Sequence, residues 1–205
     1  MNNLKDFPTP FREFSSNEYN EFLHSLSLIT DNASGPYPEN RMPYMGINYR
    51  RSSRVLKTFQ VDALQKEQFL NAPRLIWYLI TEPWCGDAAH SVPVIMKLAE
   101  SIEEIQLNII LRDENPLWME RFLTNGSKSI PVLAVFEERS GNLLGHWGPR
   151  PGKLQSLFLS LKQENKNKEE IQEILQKWYN ADKGKSIENE VISFILEALK
   201  NQVSV

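Results

Sequence analysis

Cysteine is nearly missing from this chain: one residue, Cys85, among 205. That excludes an intrachain disulfide, a multi-cysteine zinc site and any dithiol redox couple within the chain. Long apolar runs are missing too, the longest being Leu75 to Ile80, against the roughly 20 residues that span a bilayer. No stretch of signal-peptide character follows Met1-Asn2-Asn3-Leu4-Lys5-Asp6-Phe7-Pro8, so a cytoplasmic protein with no membrane partner is expected. Positive charge is not in excess, with 23 Lys and Arg against 26 Asp and Glu and a net charge of −3. Such a chain sets up no field for polyphosphate, and no nucleic-acid partner is expected. His24, His90 and His146 have no sequence-adjacent metal-ligand partners, so no metal site is expected.

What is present suffices for a core. Hydrophobic residues make up 41% and charged residues 24%, the balance of a globular domain. Ser15 precedes Glu18 at capping-box spacing, and Tyr19, Phe22, Leu23, Leu26 and Ile29 repeat at helical intervals, predicting a helix over about 17–29. Residues 31–50, with Pro36, Pro38, Pro43, Gly35 and Gly46, are expected to form a long loop over the surface or a site. A short helix over 61–70 follows. Leu75 to Ile80 then reads as a strand buried on both faces. A helix containing Pro93 comes next, followed by a second strand over about 105–112 and a short helix at 117–123. Strand, helix, strand makes a parallel pair with a right-handed crossover. Strands at 131–136 and 143–147, joined by Ser140-Gly141-Asn142, form an antiparallel hairpin. Three helices, at 152–161, 168–180 and 187–200, end the chain.

This order carries Trp84-Cys85-Gly86 at the first strand-to-helix junction and Ile130-Pro131 at the start of the third strand. It resembles the thioredoxin fold over residues 60–162. The combination of Trp84-Cys85-Gly86-Asp87-Ala88, Arg112-Asp113-Glu114-Asn115, Leu123-Thr124-Asn125-Gly126 and Trp147-Gly148-Pro149-Arg150-Pro151 is similar to a bacterial thioredoxin-like family with a W-C-G-D-A signature. The resemblance implies an α/β fold: a mixed four-stranded sheet with helices on both faces. To it are added an amino-terminal extension over 1–59 and a two-helix extension over 163–205. It also implies a cis bond at Ile130-Pro131. The departure lies in the chemistry: Ala88 replaces the second cysteine of Cys-X-X-Cys, so no resolving thiol exists, and no carboxylate lies within Leu75–Ile80.

In such a sheet the carboxyl ends of the parallel strands share one edge. Four segments meet there: Cys85 after the first strand, Arg112 after the second, Ile130-Pro131 before the third and Trp147 to Arg150 after the fourth. Cys85 is the candidate catalytic residue, and Trp84, Gly86, Asp87, Arg112, Ile130, Pro131, Trp147 and Arg150 are candidate binding residues. A free thiol of pKa about 8.5 is only ~3% ionised at pH 7. The helix dipole adds at most about 1 kcal/mol, so Arg112 or Arg150 within about 4 to 6 Å of the sulfur would decide its reactivity. Asp87 more readily stabilises the first helical turn than takes part in chemistry. Trp84 and Trp147 either pack in the core or stack on a ligand. Backbone groups of Ile130 would pair with an extended peptide or with glutathione. His90 lies about 140° around the helix from Cys85 and fits a solvent-facing or core-satisfied histidine better than a general base.

Two functions compete. In one, Cys85 is a monothiol exchanging with protein disulfides or with glutathione as cosubstrate, with no bound cofactor. In the other the fold is a non-catalytic adaptor. Cluster binding of the kind seen in C-G-F-S monothiol glutaredoxins fits least, because Asp87-Ala88 stands in place of Phe-Ser.

Overall fold

A capping box starts the first helix, α1 (Ser16–Ser27): the Ser15 side chain accepts from the Glu18 amide, and Glu18 accepts from the Ser15 amide in return. The computed structural model describes residues 3–203. Tyr19, Leu23 and Leu26 form the buried stripe of α1. The segment expected to be a loop through residue 50 instead becomes helical at α2 (Tyr44–Thr58). Pro43 already has helical backbone angles, φ −59° and ψ −20°, in the position before the helix. A proline there sacrifices no amide that the helix needs. The inward residues of α2 are Met45, Asn48 and Ser52. Two of the three are polar, so no apolar stripe announces the helix.

After the short helix α3 (Ala63–Glu67) the apolar run forms strand β1 (Leu75–Thr81), buried at every position but Ile76. Helix α4 (Ala88–Ser101) follows, with Pro93 inside it and most residues buried. Strand β2 (Ile105–Leu111) pairs parallel with β1, Leu75 opposite Ile105 through Thr81 opposite Leu111. The next helix, α5 (Pro116–Met119), stops short of the expected 117–123. The chain instead turns at Asn125 (φ 49°) and Gly126 (φ 76°). Strand β3 (Val132–Glu137) pairs antiparallel with β1, and β4 (Leu143–Trp147) pairs antiparallel with β3 across a register shift at Val135 and Phe136. The sheet order is β2-β1-β3-β4. This is the mixed four-stranded α/β architecture expected from the sequence. Trp77, Leu79, Ile80 and Phe136 are fully enclosed, each such side chain stabilising the fold by about 1.5–3 kcal/mol.

Three helices close the chain: α6 (Gly152–Gln163), α7 (Lys168–Asp182) and α8 (Lys185–Val203). Lys183 at φ 54° and Gly184 at φ 84° turn α7 into α8. Ile187, Val191, Ile192 and Ile195 of α8 are buried in the same cluster as the sheet, and α8 packs on β4 and α4. At the opposite edge, Phe14 exchanges both backbone hydrogen bonds with Ile109 of β2, at 2.8 and 2.9 Å.

Candidate functional site

Between β1 and α4 the chain makes one tight turn, Glu82 to Asp87. The Cys85 amide donates to the Glu82 carbonyl at 3.1 Å, and the Cys85 carbonyl accepts from the Ala89 amide at 3.1 Å. That second bond has helical spacing, so Cys85 stands at the entrance of α4. The thiol donates to the carbonyl of Ile130 at 3.4 Å, and Ile130-Pro131 is cis, as the resemblance implies. Gly148-Pro149 is also cis. Gly148 adopts φ 126°, and a Cβ there would run into the Pro131 carbonyl oxygen. The Arg112 amide donates to Thr81 at 3.0 Å, tying the ends of β1 and β2 together. All four segments thus meet at one edge.

The thiol they surround is held un-ionised. Cys85 is 9% exposed. Burial, with the Asp87 carboxylate second, pushes its pKa up to about 12, against the smaller pull of the Ala88 and Asp87 amides and of Arg150. At pH 7 roughly one thiol in 10⁵ is ionised at such a value.

The arginines are engaged elsewhere. Arg150 forms a two-armed pair with Asp87, Nε to Oδ1 at 2.9 Å and Nη2 to Oδ2 at 2.6 Å. It also donates to Gln155 at 3.0 Å and lies 4.1 Å over the Phe158 ring. Asp87 stands at the amino-terminal cap position of α4 without a side-chain capping bond, and its carboxylate accepts from Arg150 and from the Tyr179 hydroxyl at 3.0 Å. Arg112 bonds its neighbour Asp113 at 2.8 Å and the Lys128 carbonyl at 3.2 Å, and lies 4.7 Å from the Trp84 ring. Arg41 meets the same ring at 4.2 Å and the same carboxylate at 2.7 Å, so Trp84 has a guanidinium stacked on it from each of two segments. Trp147 is buried and donates its indole N–H to Glu190 of α8 at 3.0 Å. It belongs to the packing of the carboxy-terminal helices and offers no open face for stacking. Gly86 remains exposed beside the buried sulfur. His90 is buried, 3.0 Å from Gln176 and stacked on Tyr179 at 4.4 Å; burial depresses its pKa to about 4.

Several residues of the site carry no sequence signal. Glu82, between a strand end and a proline, resembles a solvated loop carboxylate yet is 1% exposed. Its Oε1 accepts from the Asp113 amide at 2.8 Å, while Oε2 has no hydrogen-bond partner among the described residues. Burial raises its pKa to about 7. A cavity of about 10 Å³, room for about one water, lies beside it, lined by Tyr19, Asn48, Ser52 and Ala88 among others. Arg41, Tyr179 and Glu190 reach the site from other elements. Among the described residues no cluster of His, Cys, Asp or Glu could hold a metal ion, and no helix is long and apolar enough to cross a membrane.

A family model described as thioredoxin matches residues 35–168, a span that takes in α2. Among solved structures, a protein of unknown function from Pseudomonas aeruginosa is 18% identical with a TM-score of 0.56, covering 90% of this chain and 99% of its own. An HIV epitope scaffold is likewise 18% identical, with a TM-score of 0.51, 92% of this chain and 99% of its own covered. At that identity both likenesses concern the fold.

Proposed function

Because the chain belongs to the thioredoxin family, we propose that it is a thioredoxin-fold binding protein whose Cys85 rests as a buried, protonated thiol. The observation that carries this reading is the placement of that cysteine: 9% exposed, with both candidate arginines already paired, so that burial pushes its pKa up to about 12. Relative to a free thiol the thiolate population drops roughly 3,000-fold. The greater intrinsic nucleophilicity of a more basic thiolate returns about 30- to 50-fold. A deficit of about 100-fold is left, before access to the sulfur is considered. Within the family the sequence Trp84-Cys85-Gly86-Asp87-Ala88 supports a place in a bacterial branch with a W-C-G-D-A signature. A lone unpaired cysteine suits the reducing cytoplasm.

Monothiol exchange is the second reading, favoured by the contact of Cys85 Sγ with the Ile130 carbonyl beside the cis Pro131. In that reaction the Cys85 thiolate attacks one sulfur of an external disulfide and the other leaves as a thiolate. An external thiol such as glutathione then attacks the mixed disulfide and restores Cys85.

Alkylation by iodoacetamide across pH separates the two. An apparent pKa far above that of glutathione, with a rate at pH 8 about 100-fold lower, is expected. An apparent pKa at or below the free-thiol value, together with a glutathione adduct on Cys85 seen by intact mass, would overturn the binding reading in favour of exchange.

A further inference from the structure

The outward face of α2 is strongly basic. Arg50, Arg54 and Lys57 follow one another at helical spacing and are exposed, with Arg51 beside them partly buried. None of the four has a carboxylate within ion-pair distance among the described residues. Arg51 donates to Asn48 at 3.1 Å and Arg54 donates to the side-chain oxygen of Asn180, so among the described residues the hydrogen-bond partners of these two are neutral. Crowding is felt inside the band: besides burial, the charges of Arg54 and Arg50 lower the pKa of Arg51. This concentration occurs in a chain whose net charge is −3, so it is local and not a consequence of overall basicity. The band also has a definite position. Arg51 Nη1 would lie 3.8 Å from a Cβ on Gly86, the exposed residue next to Cys85, and Asn48 of the same helix donates to the Pro83 carbonyl at 2.9 Å. On the far side of the turn Arg41 and Arg112 share the single carboxylate of Asp113, which leaves one more positive charge at the rim.

We infer that the outer face of α2 is a docking surface for an acidic, extended peptide segment of a partner protein, aligned toward Gly86. This rests on the binding reading above and names the class of partner. From residue 50 to 57 the helix rises about 10 Å, the length of about three extended residues. Guanidinium groups on adjacent turns match carboxylates in two-armed geometry. The negative remainder of the surface disfavours a long polyanion once it runs beyond the band, because opposing charges act over a Debye length of about 8 Å at physiological salt. A short acidic peptide fits this charge pattern better than a nucleic acid.

The test is fluorescence anisotropy of labelled decaglutamate titrated with the full chain, at about 50 and about 200 mM salt. Decaglutamine and a ten-nucleotide oligothymidylate serve as comparison probes. Arg50→Glu/Arg54→Glu is expected to weaken decaglutamate binding at least about tenfold. Arg74→Glu/Arg139→Glu, the same charge change where β1 begins and β3 ends, is expected to weaken it less than about threefold. Circular dichroism establishes that both variants are folded. Equal loss in the two variants, no preference for decaglutamate over decaglutamine, or tighter binding of the oligonucleotide would each overturn the proposal. Cys85 alkylation on the same samples keeps the two questions apart. An inert thiol without peptide binding removes the surface alone, and a reactive thiol with peptide binding removes the redox-silent reading alone.

Discussion

Arg150 holds Asp87 by both carboxylate oxygens, at 2.9 and 2.6 Å, and Tyr179 closes the same carboxylate from α7 at 3.0 Å. The cation nearest to making Cys85 a nucleophile is therefore neutralised by an anion that makes it a poorer one. Asp87→Asn removes the anion and leaves the cation. The Cys85 pKa is expected to fall, each unit of fall raising the thiolate population at neutral pH tenfold, as measured by pH-dependent alkylation. The same change leaves a largely buried Arg150 uncompensated, so urea unfolding should show a loss of about 3–5 kcal/mol.

Glu82 and His90 give stability opposite dependences on pH. The Glu82 carboxyl titrates at about 7 when folded, against 4.5 ordinarily. Its contribution is therefore fully present below pH 4.5 and is lost as pH rises through 7. His90 titrates at about 4, against 6.5 ordinarily. Its contribution is present above pH 6.5 and is lost as pH falls through 4. Each group changes stability by up to about 1.4 kcal/mol per pH unit, and between pH 4.5 and 6.5 the two slopes oppose. Denaturant melts at several pH values check this. Relative to the parent, Glu82→Gln should gain stability as pH rises from 4.5 to 7, and His90→Gln should gain as pH falls from 6.5 to 4.

Gly148→Ala should be severe. The residue holds φ 126°, and its added methyl would collide with the Pro131 carbonyl. A backbone conformation that L residues rarely adopt costs on the order of 1–3 kcal/mol, and the collision adds to it. A drop of roughly 5–12 °C in Tm, read by differential scanning calorimetry, is expected.

Glu190 links α8 to the site's outer strand. Its two oxygens accept from the Trp147 indole at 3.0 Å and from the Gly152 amide at 2.9 Å. Glu190→Ala strands the buried Trp147 indole N–H and leaves the exposed Gly152 amide to water, at a cost of about 1–3 kcal/mol. Hydrogen exchange should show the amides of α8 and the start of α6 losing protection while those of β1 keep theirs.

The central sheet could be read from the sequence because its signals are local. Leu75–Ile80 is an unbroken apolar run, Ser140-Gly141-Asn142 is a hairpin turn, and Cys85 lies within a few residues of a strand end. Helix α2 could not, because its buried face consists of Met45, Asn48 and Ser52 and the prolines before it dominate the local composition. The partners of the site residues escaped for a different reason. Tyr179 is 92 positions from Asp87 and Glu190 is 43 from Trp147. Nothing in the neighbourhood of either residue reports a contact that only folding creates. Arg112 follows β2 and Arg150 follows β4, as the strand order alone dictates, but how their charge is used depends on carboxylates that side-chain packing selects.

The shape of the sheet's two outer strands bears on how a partner can bind. An edge strand with unpaired amides and carbonyls invites a partner strand to join it. Here β2 already exchanges backbone hydrogen bonds with Phe14, and β4 is five residues long, joined to β3 by a shifted register and packed against α8. The backbone groups of Ile109 are thereby taken, and the short, shifted β4 is a poor template for a partner strand. Recognition then leans on side chains, which choose their partners by chemistry, and the same short, interrupted edges disfavour self-association by strand pairing.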